Sequence, residues 1–97
     1  MTKRELMKAA KLRVRATARS VLDKDIEQLI EVALADMKRI GVKESYLDPD
    51  NITDPLVIEA ALLYVAANFG NPDNGPALGE AYQRMLVKLK GGVYVRG

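Results

Sequence analysis

Few side chains in this sequence could do covalent or acid–base chemistry at neutral pH. The 97 residues include no His and no Cys, which removes the usual neutral-pH base, the commonest metal ligand and any thiolate. A nucleophile would have to be Ser20 or Ser45 activated by a Lys, and neither lies in a recognisable motif. Paired carboxylates occur at Asp23/Asp25 and Asp48/Asp50. The first pair reads as charge at a helix N-terminus and the second as turn chemistry. Asp48, Asp50 and Asn51 resemble a calcium loop only distantly, because the spacing and the terminal Glu are missing. This inventory implies no catalytic residue, no metal and no cofactor, so the chain does not read as an enzyme.

Charge is the other resource. Residues 1–22 hold seven Lys/Arg against one acid, while residues 23–97 hold eight against twelve. A block of one sign can mark an arm that binds nucleic acid or a partner, with Lys8, Lys11, Arg15 and Arg19 available to phosphates. The plainer reading is a solvated basic helix face. No base-reading helix follows: the connection "GVKESYLDPDNITDP" is too long for a helix-turn-helix, and the helix after it is apolar. The basic start is interrupted too often for the apolar stretch of a signal peptide. The longest apolar run, Leu56–Ala67, falls short of the roughly 20 residues a membrane span needs. A soluble, unprocessed single domain over residues 1–97 is expected.

Four helices must position these groups, and no strand pattern competes with them. The first is a basic helix within residues 1–20. Thr2 and Glu5 form a capping box, followed by a weak stripe of Leu6, Ala9, Ala10 and Leu12. Its poor amphipathicity predicts mobility or the need of a partner. The second places Ile26, Leu29, Ile30, Ala33, Leu34 and Met37 on one face, with Asp23 as its candidate cap and Gly41 as its stop. "KESYLDPDNI" reads as a loop.

Thr53 is the expected cap of the third helix, with Asp54 and Pro55 in its first turn and Gly70 at its end. A helix apolar on nearly every side is buried on nearly every side, so residues 54–69 should form the centre of an all-α bundle. The fourth helix opens at Pro76 and carries Leu78, Ala81, Tyr82, Met85, Leu86 and Leu89 on one face until Gly91-Gly92 breaks it. Gly75-x-x-x-Gly79 spans a turn and a helix start, where local packing accounts for it. The tail 91–97, ending "VYVRG", is expected to be flexible: its alternation is β-prone, and the sequence offers no partner strand.

Taken in order, "DKDIEQLIEVALADMKRIGV" (Asp23–Val42), "DPLVIEAALLYVAANFGNPDN" (Asp54–Asn74) and "YQRMLVKL" (Tyr82–Leu89) resemble the head–tail connector family of tailed bacteriophages, also called head-completion or adaptor proteins. The likeness spans roughly residues 10–90 and is a pattern of helices with a few typical residues. It implies a structural virion protein at the head–tail interface, assembled in the host cytoplasm. Such a protein forms a ring of about twelve copies beneath the portal protein after packaging. The ring extends the DNA channel, lets the genome pass without specific binding, and presents a surface to the next neck (stopper) or tail protein. No membrane is involved.

Under that resemblance Val93, Tyr94, Val95 and Arg96 are candidates to dock on the portal as an added strand. Lys8, Lys11, Arg13, Arg15 and Arg19 would face neighbouring subunits or the portal. Asp25, Glu27 and Glu31 would line the channel, where they repel phosphates, or pair between subunits with Arg13, Arg15 or Arg19. The rival reading is a small helical nucleic-acid-binding or regulatory domain that uses the basic arm.

Overall fold

A computed structural model describes residues 1–14, 22–69 and 73–92. Arg15, Arg19, Ser20, Gly70 and the candidate docking residues Val93, Tyr94, Val95 and Arg96 lie outside the described residues. Four α-helices account for most of the rest: α1 (Lys3–Val14), α2 (Leu22–Arg39), α3 (Pro55–Asn68) and α4 (Gly75–Lys90). No strand is present among the described residues. The expected all-α bundle is the observed one, and α3 is its centre: α1, α2 and α4 all pack against it.

The helix ends show why the chain divides where it does. Thr2 N–H donates to Glu5 Oε1 at 2.9 Å and Glu5 N–H donates to Thr2 Oγ1 at 3.2 Å, so both halves of the capping box form. The Thr2 backbone N–H, and then its hydroxyl, hold the Glu5 carboxyl below its ordinary range. The extended residues before α1 strap onto the connection ahead of α3. Lys3 N–H donates to the Pro49 carbonyl at 2.7 Å and Ile52 N–H to the Met1 carbonyl at 2.6 Å.

At the far end of α2, Gly41 takes φ 102°, a left-handed conformation that costs glycine nothing. Val42 N–H then reaches the Met37 carbonyl and Gly41 N–H the Lys38 carbonyl, both at 3.0 Å. This is the Schellman pattern, with Val42 buried against the core as its apolar contact.

Several boundaries differ from expectation. Asp54, not Thr53, caps α3: its Oδ1 accepts from Leu56 N–H at 2.9 Å and Val57 N–H at 3.3 Å. A carboxylate in that position satisfies two orphan donors and faces the positive end of the helix dipole, which a hydroxyl one residue earlier cannot do. Pro55 is then the first helical residue, where its missing N–H costs nothing. Asp23 lies inside the first turn of α2, which begins at Leu22. The "KESYLDPDNI" connection contains a short 3-10 turn at Glu44–Tyr46. After it, Asp50 N–H donates to Asp48 Oδ1 at 2.9 Å, a side-chain-closed turn. Gly75 precedes Pro76 in α4.

The core follows from α3. Every residue from Leu56 to Ala67 is buried or half-buried. Leu6 and Ala10 of α1, Ile26, Ile30 and Met37 of α2, and Tyr82, Leu86 and Leu89 of α4 close around it. Ala33, Ala60 and Ala61 are fully buried, and such small residues let helix axes approach. The weak stripe of α1 is used only in part: Leu6 and Ala10 are covered completely, whereas Leu12 is 80% exposed. Residues four apart share a face and Leu12 falls off it.

Among the described residues, Tyr82 is the one tyrosine buried in this core. Its ring meets Tyr64 with centroids 4.9 Å apart, tilted by 58°, and its hydroxyl donates to Asp36 Oδ2 at 3.1 Å. That bond ties α4 to α2 across α3. Burial first, and then the Asp36 charge, push the Tyr82 phenol well above its ordinary 10.0.

Two outcomes follow from these details. Asp54→Ala lowers stability by about 1 kcal/mol, while Thr53→Ala changes it by less than about 0.5 kcal/mol, read as shifts of the urea midpoint at constant slope. Because the folded-state pKa of Tyr82 is raised, its stabilising contribution is complete below pH 10.0, the ordinary value. It is lost as pH climbs from there towards the folded value, by up to about 1.4 kcal/mol per pH unit. Tyr82→Phe, which costs about 1 kcal/mol at neutral pH, shows a shallower alkaline loss in the same titration.

Candidate functional site

Three cations of α1, Lys3, Lys11 and Arg13, meet acids of α2 and α3. Their pairing is largely internal. Lys3 Nζ stands 3.0 Å from Glu27 Oε2 and 3.5 Å from Glu31 Oε1. The bond to Glu27, more than the one to Glu31, raises the Lys3 pKa. Lys11 Nζ is 2.6 Å from Asp23 Oδ1. This is an ion contact without hydrogen-bond alignment, and Oδ1 has no other donor among the described residues.

Arg13 forms a bidentate pair with Glu59: Nη1 donates to Oε2 at 2.7 Å and Nη2 to Oε1 at 3.0 Å. This two-bond fork is the strongest geometry available to a guanidinium and a carboxylate. It raises the Arg13 pKa further. It also explains Glu59, the one acid on the apolar α3. The carboxylate sits where α1 can neutralise it.

Of the candidate basic face, then, Lys11 and Arg13 are committed to acids of their own chain. Lys8 remains exposed with no salt bridge among the described residues, as does Arg4 one turn earlier. Of the candidate acids, Glu27 and Glu31 are shared by Lys3, and Asp25 alone is exposed without an ion pair among the described residues. Arg13, weighed as a partner for these acids between copies, is held by Glu59 of its own chain. Lys3, Arg4, Met7, Lys8, Lys11, Asp23 and Glu27 line a concavity of about 490 Å³. Its two acids already sit against Lys3 and Lys11, so its free charge is Arg4 and Lys8.

Of the two serines weighed as nucleophiles, only Ser45 is among the described residues. Ser45 is exposed in the 3-10 turn beside a second depression that includes Lys38. Lys38 Nζ lies 3.2 Å from Glu44 Oε1. No three His, Cys, Asp or Glu residues among the described residues come close enough to hold a metal ion. No helix among them is long and apolar enough to cross a membrane. Gly79 faces open space: a methyl there meets no atom within 4 Å. Neither a close helix approach nor local packing accounts for it.

Sequence reasoning did not find the Arg13–Glu59 pair. The residues are 46 positions apart, and only the lone acid on α3 hinted that a cation must come to it.

A double-mutant cycle on Arg13→Ala and Glu59→Ala gives a coupling of about 1 kcal/mol in dilute buffer that shrinks in molar salt, because both side chains are over a third exposed. Arg13→Lys keeps the charge and recovers less than half of that coupling, since an ammonium cannot form the fork. With this geometry in hand, comparison with known proteins gives no match to any family model, curated protein or solved structure.

Proposed function

We propose that this chain is a head–tail connector protein of a tailed bacteriophage, one subunit of a ring of about a dozen copies between the portal and the next neck or tail component. The observation that carries the reading is the order of the three quoted segments, which correspond to α2, α3 and α4. A rigid core with its charge spread over the surface suits a part whose work is done by contacts with copies of itself and with neighbours. In this reading Asp25 and the neighbouring acids of α2 face the channel or an adjacent subunit, and residues 93–96 dock on the portal. The protein acts by shape and charge, without turnover.

The internal pairing of Lys3, Lys11 and Arg13 weighs against the nucleic-acid alternative, because a cation already paired with a carboxylate gains less from a phosphate. Negative-stain electron microscopy of this protein mixed with the portal encoded beside its gene tests the choice. A ring added to the narrow end of the portal is the expected result. No added density, together with salt-dependent DNA binding by the free protein, replaces the connector with the nucleic-acid reading. Deleting residues 92–97 abolishes portal binding in the same assay, and unchanged binding would move the docking surface elsewhere.

A further inference from the structure

One apolar side chain and one groove on this molecule match each other. Val87 is 70% exposed on the outer face of α4. On its own stripe of the helix it is flanked by Arg84 and Lys90, three residues to either side. Neither cation has a salt bridge among the described residues.

The groove lies between the last turns of α2 and the segment 44–49, with a volume of about 570 Å³. Half-buried Leu34 and Leu47 form its floor, and Ala35 and Pro49 its exposed apolar walls. Val32, 38% exposed, lies one turn before Ala35. The rim carries Glu44 and Asp48 against Lys38, which is tied to Glu44. Exposed Lys43 and exposed Asp50 lie just beyond its two ends and offset each other, so the rim keeps one net negative charge from Glu44, Asp48 and Lys38. A single exposed valine is ordinary on any surface. An apolar knob between two free cations and an apolar groove with an acidic rim, on different elements of the same chain, are complementary in both hydrophobicity and sign.

We infer that the groove of Leu34, Ala35, Leu47 and Pro49 receives the Val87 face of α4 from a second copy of this chain. Arg84 and Lys90 then lie against the acidic rim. Knob and groove share no residue, so each contact leaves a free groove on one subunit and a free knob on the other. Such a head-to-tail contact does not stop at a dimer: it continues until the rotation per subunit closes a ring, or it runs on as a filament. The inference deepens the connector reading and rests on it for the ring. The contact itself follows from the surface chemistry. Polar flanks fix its register and the buried valine excludes water.

The absence of any cysteine makes the contact directly testable by disulfide trapping, which demands close approach of the two Cα atoms. Ala35→Cys and Val87→Cys in one chain, mildly oxidised alone and again with the portal present, should give a covalent ladder on a non-reducing gel. A mixture of the two single variants should give dimers only. Adding Arg84→Glu or Lys90→Glu should slow the ladder about two- to fivefold.

If Leu12→Cys, on an apolar residue that is 80% exposed, cross-links to Val87→Cys as fast as Ala35→Cys does, the contact is overturned as random collision. Dimers from Val87→Cys alone at the rate of the mixture would overturn it in favour of symmetric α4 packing. A ring on the portal without the 35–87 bond sinks this contact and keeps the connector. A ladder without portal binding keeps the contact and sinks the connector, and the absence of both overturns the two together.

Discussion

A helix apolar on nearly every side has to be surrounded, and that requirement on α3 organises everything else in this molecule. From Leu56 to Ala67 every residue is buried or half-buried, so three other helices and the connection before it must cover it. Two of them are well suited: α2 and α4 each present a continuous apolar stripe. The third cover, α1, has only Leu6 and Ala10 fully inserted. Apolar burial scales with area, so two inserted side chains, one of them an alanine, make a weak hold on their own. The ion pairs of Lys3, Lys11 and Arg13 and the two backbone bonds from Met1 and Lys3 add to it. Of the three covering helices, the one with the weakest apolar stripe is therefore the most heavily tethered by polar contacts.

That arrangement gives the uneven charge distribution an internal use. A basic first segment followed by an acidic remainder looks like a binding arm when read along the chain. Folded, the basic helix lies on acids of α2 and on Glu59, and three of its cations, Lys3, Lys11 and Arg13, are paired within the chain. Each pair is partly exposed and individually weak. Together they orient α1 without burying a charge: no polar or charged residue is fully buried among those described. The desolvation cost of a buried ion pair is avoided, and salt becomes a direct lever on how firmly α1 sits.

The elements were legible in the sequence because each carried a local signal: the capping box at Thr2 and Glu5, the stripe of α2 ending at Gly41, the all-round apolarity of α3, and Pro76 at the start of α4. The choice between Thr53 and Asp54 as cap was not, since both residue types cap helices and only the backbone conformation at Asp54 decides it. Long-range pairs were harder still. Arg13–Glu59 and Tyr82–Asp36 each join residues 46 apart, and no periodicity within one helix points across such a distance. The candidate basic face was right about which residues are charged and incomplete about where that charge is used. Pairing partners are a property of helix packing, which composition does not encode.

The strap at the start of the chain couples the fold to the chemistry of its first peptide bond. The carbonyl that accepts from Ile52 N–H belongs to Met1, and Ile52 is fully buried. A variant cut to begin at Thr2 would lose that acceptor and leave a buried N–H to find water, at a cost of about 1–3 kcal/mol. The same cut would turn Thr2 N–H, now 2.9 Å from Glu5 Oε1, into an ammonium beside a carboxylate. One neutral bond to the connection would be exchanged for a charged one within α1, at the point where the first helix is fastened to the rest.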